Sequence, residues 1–297
     1  MELAGLKKSL DSITLNLIAY IVVGFFGLIT ILPFVMLVMS SFSSEHYLVN
    51  HGFSLIPGEF SLGAYNLIFQ NPQKILRAYG ITIFITVVGT ISSLFLSSMA
   101  AYVMARKDVK YRNSLAFFIF FTTLFNGGLA PYYIIVSNVY KLSDSILVLL
   151  LVPMFNAFNI LVLRNFIKGG VPDSLYESAK IDGAGDFAVF IKIVLPLSKP
   201  ALASIGLFTA LGYWNDWWTA MLFLQREQLF PLQYVLYRML SSTNIAASMV
   251  KSIVYLNAPR ESLKLAMTVI SIGPIILLYP FVQRYFVKGI TIGSVKG

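Results

Sequence analysis

Long apolar runs alternate with short polar segments along this chain. Six runs reach the roughly 20 residues that an α-helix needs to cross the hydrocarbon core of a bilayer. They lie at residues 16–41, 79–104, 114–137, 145–163, 201–223 and 265–286. The pattern predicts an all-α membrane protein in which residues 1–297 form a single transmembrane domain of six helices.

The composition strengthens this prediction. Of the 297 residues, 57% are hydrophobic and 12% are charged, whereas soluble domains are roughly half apolar and a quarter charged. The chain has no cysteine, and His46 and His51 do not have the spacing of an i, i+4 metal pair. We therefore expect no metal site, no bound cofactor and no thiol chemistry.

Lysine and arginine are concentrated in alternate connecting segments. Lys7 and Lys8 precede the first run, four basic residues follow the second run, and five lie between the fourth and the fifth. Cytoplasmic segments of membrane proteins carry this excess, so both termini are predicted to be cytoplasmic. The net charge of +9 comes mostly from these basic residues in the predicted cytoplasmic segments. We expect contact with membrane lipid and no binding of nucleic acid.

Two local patterns indicate how the helices pack. Small residues recur every four positions in the second run, at Gly89, Ser93, Ser97 and Ala101. They share one helix face, where another helix can approach closely. The third run contains NGGLAPYY, residues 126–133. Its glycines and proline predict a break, which a membrane tolerates only where protein or a wet cavity satisfies the freed backbone groups.

A polar stretch, SLYESAKIDGAGDFAVFIKIVLP at residues 174–196, separates the fourth and fifth runs. Ser174 and Glu177 have the spacing of a capping box, which predicts a short helix over Leu175–Asp182. Gly183 suits the position after that helix. Asp186 is predicted to cap a second helix that Pro196 closes. The stretch therefore predicts a helix–turn–helix elbow on the cytoplasmic side.

Two other interpretations of the elbow are weaker. Residues 183–188 formally match the dinucleotide-binding pattern G-x-G-x-x-A, but no βαβ unit surrounds them. An amphipathic helix resting on lipid headgroups would explain the apolar side of the stretch, although it leaves the glycine turn and Asp182 without a purpose.

The elbow resembles the E-A-A-x3-G-x9-I-x-L-P loop of permease subunits in binding-protein-dependent ABC importers. Glu177, Ala179, Gly183 and the run Ile193–Pro196 match that loop at its spacing, and Ser178 replaces an alanine. NGGLAPYYIIV, YWNDWW and the tail RYFVKGITIGSVKG are similar to the carbohydrate branch of this family, to subunits like the maltose permease G component. The likeness is greatest to permeases for oligosaccharides or complex glycans.

This resemblance implies a type I ABC importer fold, with a transmembrane core at residues 75–287 and a cytoplasmic coupling loop at 172–200. The implied partners are a second homologous permease subunit, two P-loop ATPase subunits and an extracytoplasmic sugar-binding protein. The chain has no G-x-x-x-x-G-K-[ST] phosphate loop. ATP and Mg²⁺ are therefore expected on the partner ATPase, and this chain is expected not to be an enzyme.

The resemblance also implies roles for residues of the elbow. The implied ATPase-coupling residues are Glu177, Ser178, Ala179, Asp182 and Gly183. Glu177 would offer a carboxylate to the ATPase, Ala179 would permit close approach, and Gly183 would allow a sharp exit from the helix. The alternative for Glu177 is that it only caps its own helix.

Polar and aromatic residues within the predicted spans are candidates for the translocation pathway. Asp216 stands out, because a carboxylate in a membrane segment is costly and usually faces protein or water. The candidates in its neighbourhood are Trp214, Asn215, Asp216, Trp217 and Trp218, and weaker ones are Asn126, Asn156 and Asn159. The alternatives are an interfacial aromatic belt for the tryptophans and interhelical hydrogen bonds for the asparagines.

Function and partner surfaces follow from these expectations. The main prediction is a carbohydrate importer permease whose outer segments, 42–78 and 224–264, face the sugar-binding protein. The C-terminal GITIGSVKG is expected either to reach the ATPase or to fray. The alternative is an ion-coupled secondary transporter of small polar solutes. That class predicts midplane carboxylates and often inverted repeats, yet the predicted spans hold no carboxylate besides Asp216. An intramembrane enzyme is disfavoured, because neither H-E-x-x-H nor G-x-S-x-G occurs.

Overall fold

The computed structural model describes residues 10–249 and 259–276. Within these ranges the chain is helical, apart from connecting segments and one isolated antiparallel bridge between Ser43 and Phe60. In chain order the helices are α1 (Leu10–Ser40), α2 (Glu45–His51), α3 (Gly63–Ile68), α4 (Pro72–Ala105), α5 (Arg112–Leu124), α6 (Leu129–Ile134), α7 (Ile146–Leu151), α8 (Ala157–Gly170), α9 (Asp173–Ile181), α10 (Asp186–Val189), α11 (Leu195–Leu197), α12 (Lys199–Asn215), α13 (Trp218–Phe223), α14 (Leu232–Met249) and α15 (261–276). A π-helical segment, Ile135–Val139, follows α6, and a second, Phe190–Val194, joins α10 to α11. A 3₁₀ turn, Glu227–Leu229, precedes α14.

Two helices in the described ranges are long and apolar enough to cross a membrane alone. They are Thr14–Ser40 within α1 and Pro72–Ala105, which is α4, and they coincide with the first two predicted spans. Two bent pairs would each make one further span, so the structure offers two to four. The full set of six spans and the side of each terminus stay predictions. Residues 277–286 of the sixth span, Lys7, Lys8 and the C-terminal tail lie outside the described residues.

The chain divides into two compact units. Of the described residues, the first comprises 10–70, 240–249 and 259–272, and the second comprises 71–239 and 273–276. In the first unit the apolar side chains of α1 are exposed along the span. The N-terminus of α15 is held by Glu45, whose carboxylate accepts hydrogen bonds from the backbone N–H groups of Glu261 (2.9 Å) and Ser262 (3.0 Å). Such a carboxylate satisfies the N–H groups that a helix start leaves free.

In the second unit, α4 packs against both α8 and α12. The small-residue face predicted on this helix is confirmed, since Gly89, Ser93, Ser97 and Ala101 are all buried. The ring of Tyr213 on α12 lies so close to Gly89 that a Cβ atom there would be 2.4 Å from its Cζ. Close helix approach at a residue without a side chain is the packing that the four-residue spacing indicates.

The break predicted in the third run is also confirmed. The axes of Arg112–Leu124 and Leu129–Val139 differ in direction by 118°. Gly128 adopts a φ of 86° at the bend. The backbone N–H of Gly128 donates a hydrogen bond to the side-chain oxygen of Asn126 at 2.8 Å. Residues 125–128 are exposed on this chain. Water or another subunit must therefore satisfy their remaining backbone groups if the segment lies in a membrane.

The fourth run is not the continuous helix that 145–163 predicts. It is interrupted between α7 and α8 at residues 152–156, where Pro153 cannot donate a backbone hydrogen bond. The carbonyl groups near this interruption are satisfied by other helices. Tyr213 donates its hydroxyl to the Leu150 carbonyl at 2.7 Å, and Ser93 donates to the Met154 carbonyl at 2.6 Å. Tertiary contacts thus stabilise a break within an apolar segment.

The fifth run, 201–223, is likewise divided, because α12 ends at Asn215 and α13 begins at Trp218. The cause is local. Asp216 adopts extended backbone angles, and its Oδ1 accepts a hydrogen bond from the Thr219 N–H at 3.0 Å. This is the geometry of a helix N-cap.

Candidate functional site

The elbow is built around the nine-residue helix α9, Asp173–Ile181. Gly183, with a φ of 75°, ends it in the left-handed conformation that glycine adopts without steric cost. The Gly183 N–H donates to the Lys180 carbonyl at 3.0 Å, and the Ala184 N–H donates to the Ala179 carbonyl at 2.9 Å. These two bonds form a Schellman motif. The predicted role of Gly183 in ending the helix is confirmed.

The two sides of α9 have different environments. Ala179 is buried in an apolar cluster that also contains Tyr102 of α4, Leu163 of α8 and Phe190 after α10. Tyr176 packs against the same cluster, and burial raises the pKa of its hydroxyl to about 12. Glu177, Ser178 and Asp182 are exposed. The helix therefore packs on this cluster through Ala179 and Tyr176, while the carboxylates of Glu177 and Asp182 stay exposed.

Both capping predictions for the elbow are wrong. Helix α9 starts at Asp173, because Pro172 already has the backbone angles of an N-cap (φ −62°, ψ 139°) and Asp173 places an acidic group in the first turn. Ser174 therefore lies inside the helix, and Glu177 makes no hydrogen bond or ion pair within the described part of the chain. The interpretation of Glu177 as only a cap for its own helix loses its support.

The second helix of the elbow also differs from its prediction. Gly185 occupies the position before α10, so Asp186 is its first residue rather than its cap. Helical structure continues through Pro196 to Leu197, and the chain then bends by 81° into α12. The carboxylate of Asp186 binds Arg106 instead of its own backbone.

A cluster of charges joins the end of α4 to the elbow. Arg106, which follows α4, binds the carboxylates of Asp108 and Asp186. Lys180 on α9 donates to Asp108 at 2.8 Å, and Lys107 pairs with Asp173 at the start of α9. Arg106 and Lys180 hold the pKa of Asp108 well below its usual range, so this carboxylate is ionised at neutral pH.

Four of the predicted pathway residues line one cavity. Its volume is about 460 Å³, and it lies between α12 and the interruption of the fourth run. The polar side chains around it are those of Asn156, Asn159, Thr209, Asn215, Asp216 and Thr219. A second cavity of about 530 Å³ shares Phe155 and Asn156 with the first. The structure thus brings together amides, hydroxyls and one carboxylate from segments far apart in the chain.

Several of these polar groups also hold the helices in place. Asn156 caps α8 by accepting a hydrogen bond from the Asn159 N–H at 3.1 Å. Asn159 donates its amide to the Thr209 hydroxyl at 3.3 Å, which links α8 to α12. Asn215 donates to the Leu211 carbonyl at 2.9 Å. The interhelical interpretation therefore holds for Asn159, while its position on the cavity wall keeps a pathway role open.

The remaining pathway candidates lie outside this cavity. Trp214 is only 5% exposed and packs near Tyr79, with ring centroids 6.5 Å apart. Trp217 stacks on Tyr237 at 4.5 Å, whereas Trp218 is exposed. Asn126 lies at the bend between α5 and α6. Packing within the chain accounts for Trp214 and Trp217, and stacking of a tryptophan on a sugar ring stays a prediction.

Sequence reasoning missed two ion-pair sites. Arg106 is one of the four basic residues after the second run, which predict only the cytoplasmic side of that segment, and its partner Asp186 lies 80 residues away. Asp144, with a φ of 55°, accepts hydrogen bonds from the Arg226 N–H at 2.9 Å and the Arg226 Nε at 2.7 Å. The pKa of Asp144 is lowered, chiefly because its carboxylate accepts the hydrogen bond from the backbone N–H of Arg226. The aspartate that follows the basic pair Arg106 and Lys107 was the only local signal for the first site.

The structure combines helices of membrane-spanning length, an elbow with exposed carboxylates and a polar cavity between helices. This combination is typical of a membrane transport subunit. Residues 93–292 match the family described as "Binding-protein-dependent transport system inner membrane component", and the chain belongs to that family.

Individual relatives agree with this assignment. The chain is 42% identical to the polygalacturonan/rhamnogalacturonan transport system permease protein YtcP of Bacillus subtilis (strain 168), over 92% of this chain and 94% of YtcP. It is 41% identical to Protein LplC of the same organism, over 91% of each. A solved chain from a bacterial ABC transporter involved in the import of the acidic polysaccharide alginate superposes with a TM-score of 0.76 at 30% identity, covering 94% of this chain and 98% of that one. The type I importer fold predicted from the elbow is therefore confirmed.

Proposed function

We propose that this chain is the permease subunit of an ATP-driven importer that translocates a carbohydrate delivered by an extracytoplasmic solute-binding protein. The observation that carries the proposal is the elbow. A short helix is braced on a buried cluster, ends in a Schellman motif at Gly183 and presents a carboxylate, Glu177, without a partner in the described part of the chain. In a family of binding-protein-dependent transporters, such a surface suits docking of an ATPase.

The substrate class is supported by the relatives. YtcP is named for polygalacturonan and rhamnogalacturonan transport, and AraQ of Halalkalibacterium halodurans, 28% identical over 92% of this chain and 94% of that one, is named for arabinooligosaccharides. The polar cavity fits this class, because amides and hydroxyls bind sugar hydroxyl groups through both donors and acceptors. The proposed cargo is an oligosaccharide or glycan.

The proposal includes the partners. A second homologous permease subunit would complete the pathway. The bend at residues 125–128 is exposed on this chain, so that subunit, or water in the pathway, would satisfy its free backbone groups. Two P-loop ATPase subunits would bind ATP and Mg²⁺, and this chain would have no catalytic residues. The sugar-binding protein would dock on the outer segments 42–78 and 224–264, of which residues 250–258 lie outside the described ranges.

The partners are tested by affinity purification of the tagged chain from its native membrane in mild detergent, followed by mass spectrometry. We expect a P-loop ATPase and a second permease of the same family in the purified complex. Recovery of the chain alone, from a membrane whose other importers keep their ATPases under the same conditions, would contradict the proposal and favour an ion-coupled secondary transporter.

The pathway assignment predicts that Asn159→Leu lowers carbohydrate uptake. Leucine removes the amide from the cavity wall and cannot bond Thr209. In the proposed pathway the amide bonds a sugar hydroxyl as the cargo passes, and loss of such a bond, worth about 1–1.5 kcal/mol in the transition state, reduces the rate roughly tenfold. Uptake is measured in cells lacking the native copy of the chain, with oligosaccharide mixtures from polygalacturonan, rhamnogalacturonan and arabinan as probes.

The matched control is Asn165→Leu, an exposed position on the same helix outside the cavity. We expect it to retain near-normal uptake at equal membrane abundance. Equal uptake by the two variants would remove Asn159 from the pathway.

A further inference from the structure

The side chain of Arg106 is almost completely buried at the point where α4 meets the elbow, with 7% of its surface exposed. Its Nε donates to Asp108 at 2.7 Å, and one terminal nitrogen donates to the Tyr102 hydroxyl at 2.8 Å. The same nitrogen also binds the carboxylate of Asp186, and the other terminal nitrogen binds Asp108. The guanidinium group is therefore enclosed by two carboxylates and a phenol.

These partners belong to different parts of the elbow. Asp186 is the first residue of α10, beyond the glycine turn. Asp108 also accepts a hydrogen bond from Lys180, in the last turn of α9. Arg106 thus connects the C-terminal end of α4 directly to α10 and, through Asp108, to α9. The Tyr102 and Tyr176 rings, 6.1 Å apart, make an apolar contact between α4 and α9 at the same place.

The chemistry of the group suits a rigid connection. The guanidinium is planar and permanently charged, and it presents its donors in a fixed fork that matches a carboxylate with two parallel hydrogen bonds. Lys107, the next residue, pairs with Asp173 as well, but both of these side chains are more than half exposed. Exposed pairs of that kind contribute little because water screens them and their side chains lose conformational freedom. Arg106 differs from Lys107 in that its own side chain is 7% exposed, although its partners Asp108 and Asp186 are 47% and 71% exposed. The buried guanidinium is fixed by four hydrogen bonds to Tyr102, Asp108 and Asp186.

The far end of this connection is a long helix. α4 contains 34 residues, about 50 Å at 1.5 Å per residue, and it packs against α8 and α12, which line the polar cavity. A displacement of the elbow moves α4 as a unit only if the elbow cannot pivot on the end of α4. The Schellman turn at Gly183 stiffens the elbow internally, but it does not attach the elbow to α4.

We infer that Arg106 is a positioning residue that locks the coupling elbow and α4 into one rigid body. The displacement that an ATPase imposes on α9 is then passed to α4 and to the helices around the cavity. The transmission step rests on the proposed function, whereas the rigid attachment itself is a property of this chain and can be measured without cargo.

The absence of cysteine from the chain allows spin labels to be placed at two introduced cysteines. Ile181→Cys labels the end of α9, where the native side chain is 86% exposed. Val87→Cys labels an exposed position on α4, about 28 Å along the helix from Arg106. The interspin distance distribution is measured by pulsed electron paramagnetic resonance in the purified complex, without nucleotide and after trapping with ATP and vanadate. Complexes that carry each single cysteine correct for labels on other subunits.

With Arg106 intact we expect one narrow distance distribution that is the same in both nucleotide states. Arg106→Gln is expected to broaden it at least twofold, while the amount of co-purified ATPase stays unchanged. Lys107→Gln is the matched control and is expected to leave the width unaltered. Because Arg106→Gln can also impair folding, Asp186→Asn with Arg106 intact provides a second variant, and it is expected to broaden the distribution as well.

A distribution that stays narrow in both Arg106→Gln and Asp186→Asn overturns the inference, as does equal broadening in Lys107→Gln. A distribution that differs between the nucleotide states with Arg106 intact also overturns it, because the elbow then pivots on α4. If no ATPase co-purifies with the unmodified chain, the proposed function fails. The nucleotide-free comparison of the variants still decides the attachment, so the two failures are distinguishable.

Discussion

Replacing Glu177 by alanine is expected to abolish carbohydrate uptake while leaving the chain inserted in the membrane. The carboxylate is exposed on α9 and has no partner in the described ranges, so its loss should cost little folding free energy. In the proposed complex this carboxylate binds the ATPase. A charged hydrogen bond contributes about 1.5–3 kcal/mol, and its loss breaks the connection on which transmission depends.

Gly183→Pro should abolish uptake through a different cause. Proline holds φ near −65° and has no N–H, whereas Gly183 has a φ of 75° and donates to the Lys180 carbonyl. The Schellman turn cannot form with proline at this position. Alanine at the same position keeps the N–H and meets no neighbouring atom within 4 Å. It is expected to cost about 1–3 kcal/mol for its left-handed backbone and to reduce uptake only partly.

Two control variants separate coupling from folding. Gly185 has an ordinary φ of −71° and space for a Cβ atom, so Gly185→Ala should transport normally. Ser174→Ala, at an exposed position earlier on α9, serves the same purpose for Glu177. Uptake, membrane abundance and co-purified ATPase are measured for each variant. Normal uptake by both Glu177→Ala and Gly183→Pro would remove the coupling assignment from the elbow.

Gly89→Ala is expected to have the largest effect on stability among single-methyl insertions in the second unit. The new Cβ atom would lie 2.4 Å from Cζ of Tyr213, well inside van der Waals contact. The ring has little room to move, because it is 1% exposed and its hydroxyl is bonded to the Leu150 carbonyl. Overpacking of this kind costs about 1–3 kcal/mol. Movement of Tyr213 would also release that carbonyl within the membrane segment.

The measurement is the midpoint of thermal unfolding of the purified chain in detergent. Gly80→Ala on the same helix is the matched control, because a Cβ atom there meets nothing within 4 Å and alanine favours a helix by about 0.5–1 kcal/mol. We expect a lower midpoint for Gly89→Ala and an equal or higher one for Gly80→Ala. Equal midpoints for the two single variants would show that α4 and α12 separate at little cost.

Local sequence predicts one end of the elbow helix α9 and not the other. The end of α9 was predictable, because the left-handed position after a helix strongly favours glycine and Gly183 fills it. The start of α9 was not, because Ser174 and Glu177 have the spacing of a capping box, and only the backbone angles of Pro172 show that the helix begins before Ser174. Asp186 illustrates the same limit, since its carboxylate has a better partner in Arg106 than in its own backbone.

The pathway candidates divide for a related reason. Composition marks Asn156, Asn159, Asn215 and Asp216 as polar residues in apolar runs, but it does not say which of them share a cavity. They converge because the fourth and fifth runs are each interrupted, one at Pro153 and the other at Asp216. Trp214 was an equally plausible candidate, yet its side chain is buried near Tyr79.

The sequence by itself determined the class of this protein. Long apolar runs, the placement of basic residues and the spacing of Glu177, Gly183 and Pro196 depend on nearest neighbours and on the solvent, so they can be read along the chain. Tertiary structure alone decided that Arg106 binds Asp186, that Tyr213 satisfies the carbonyl of an interrupted helix, and that four of the predicted pathway residues line one cavity. These features join residues about 60 to 80 positions apart, and a pair at such separation meets only after the helices have packed.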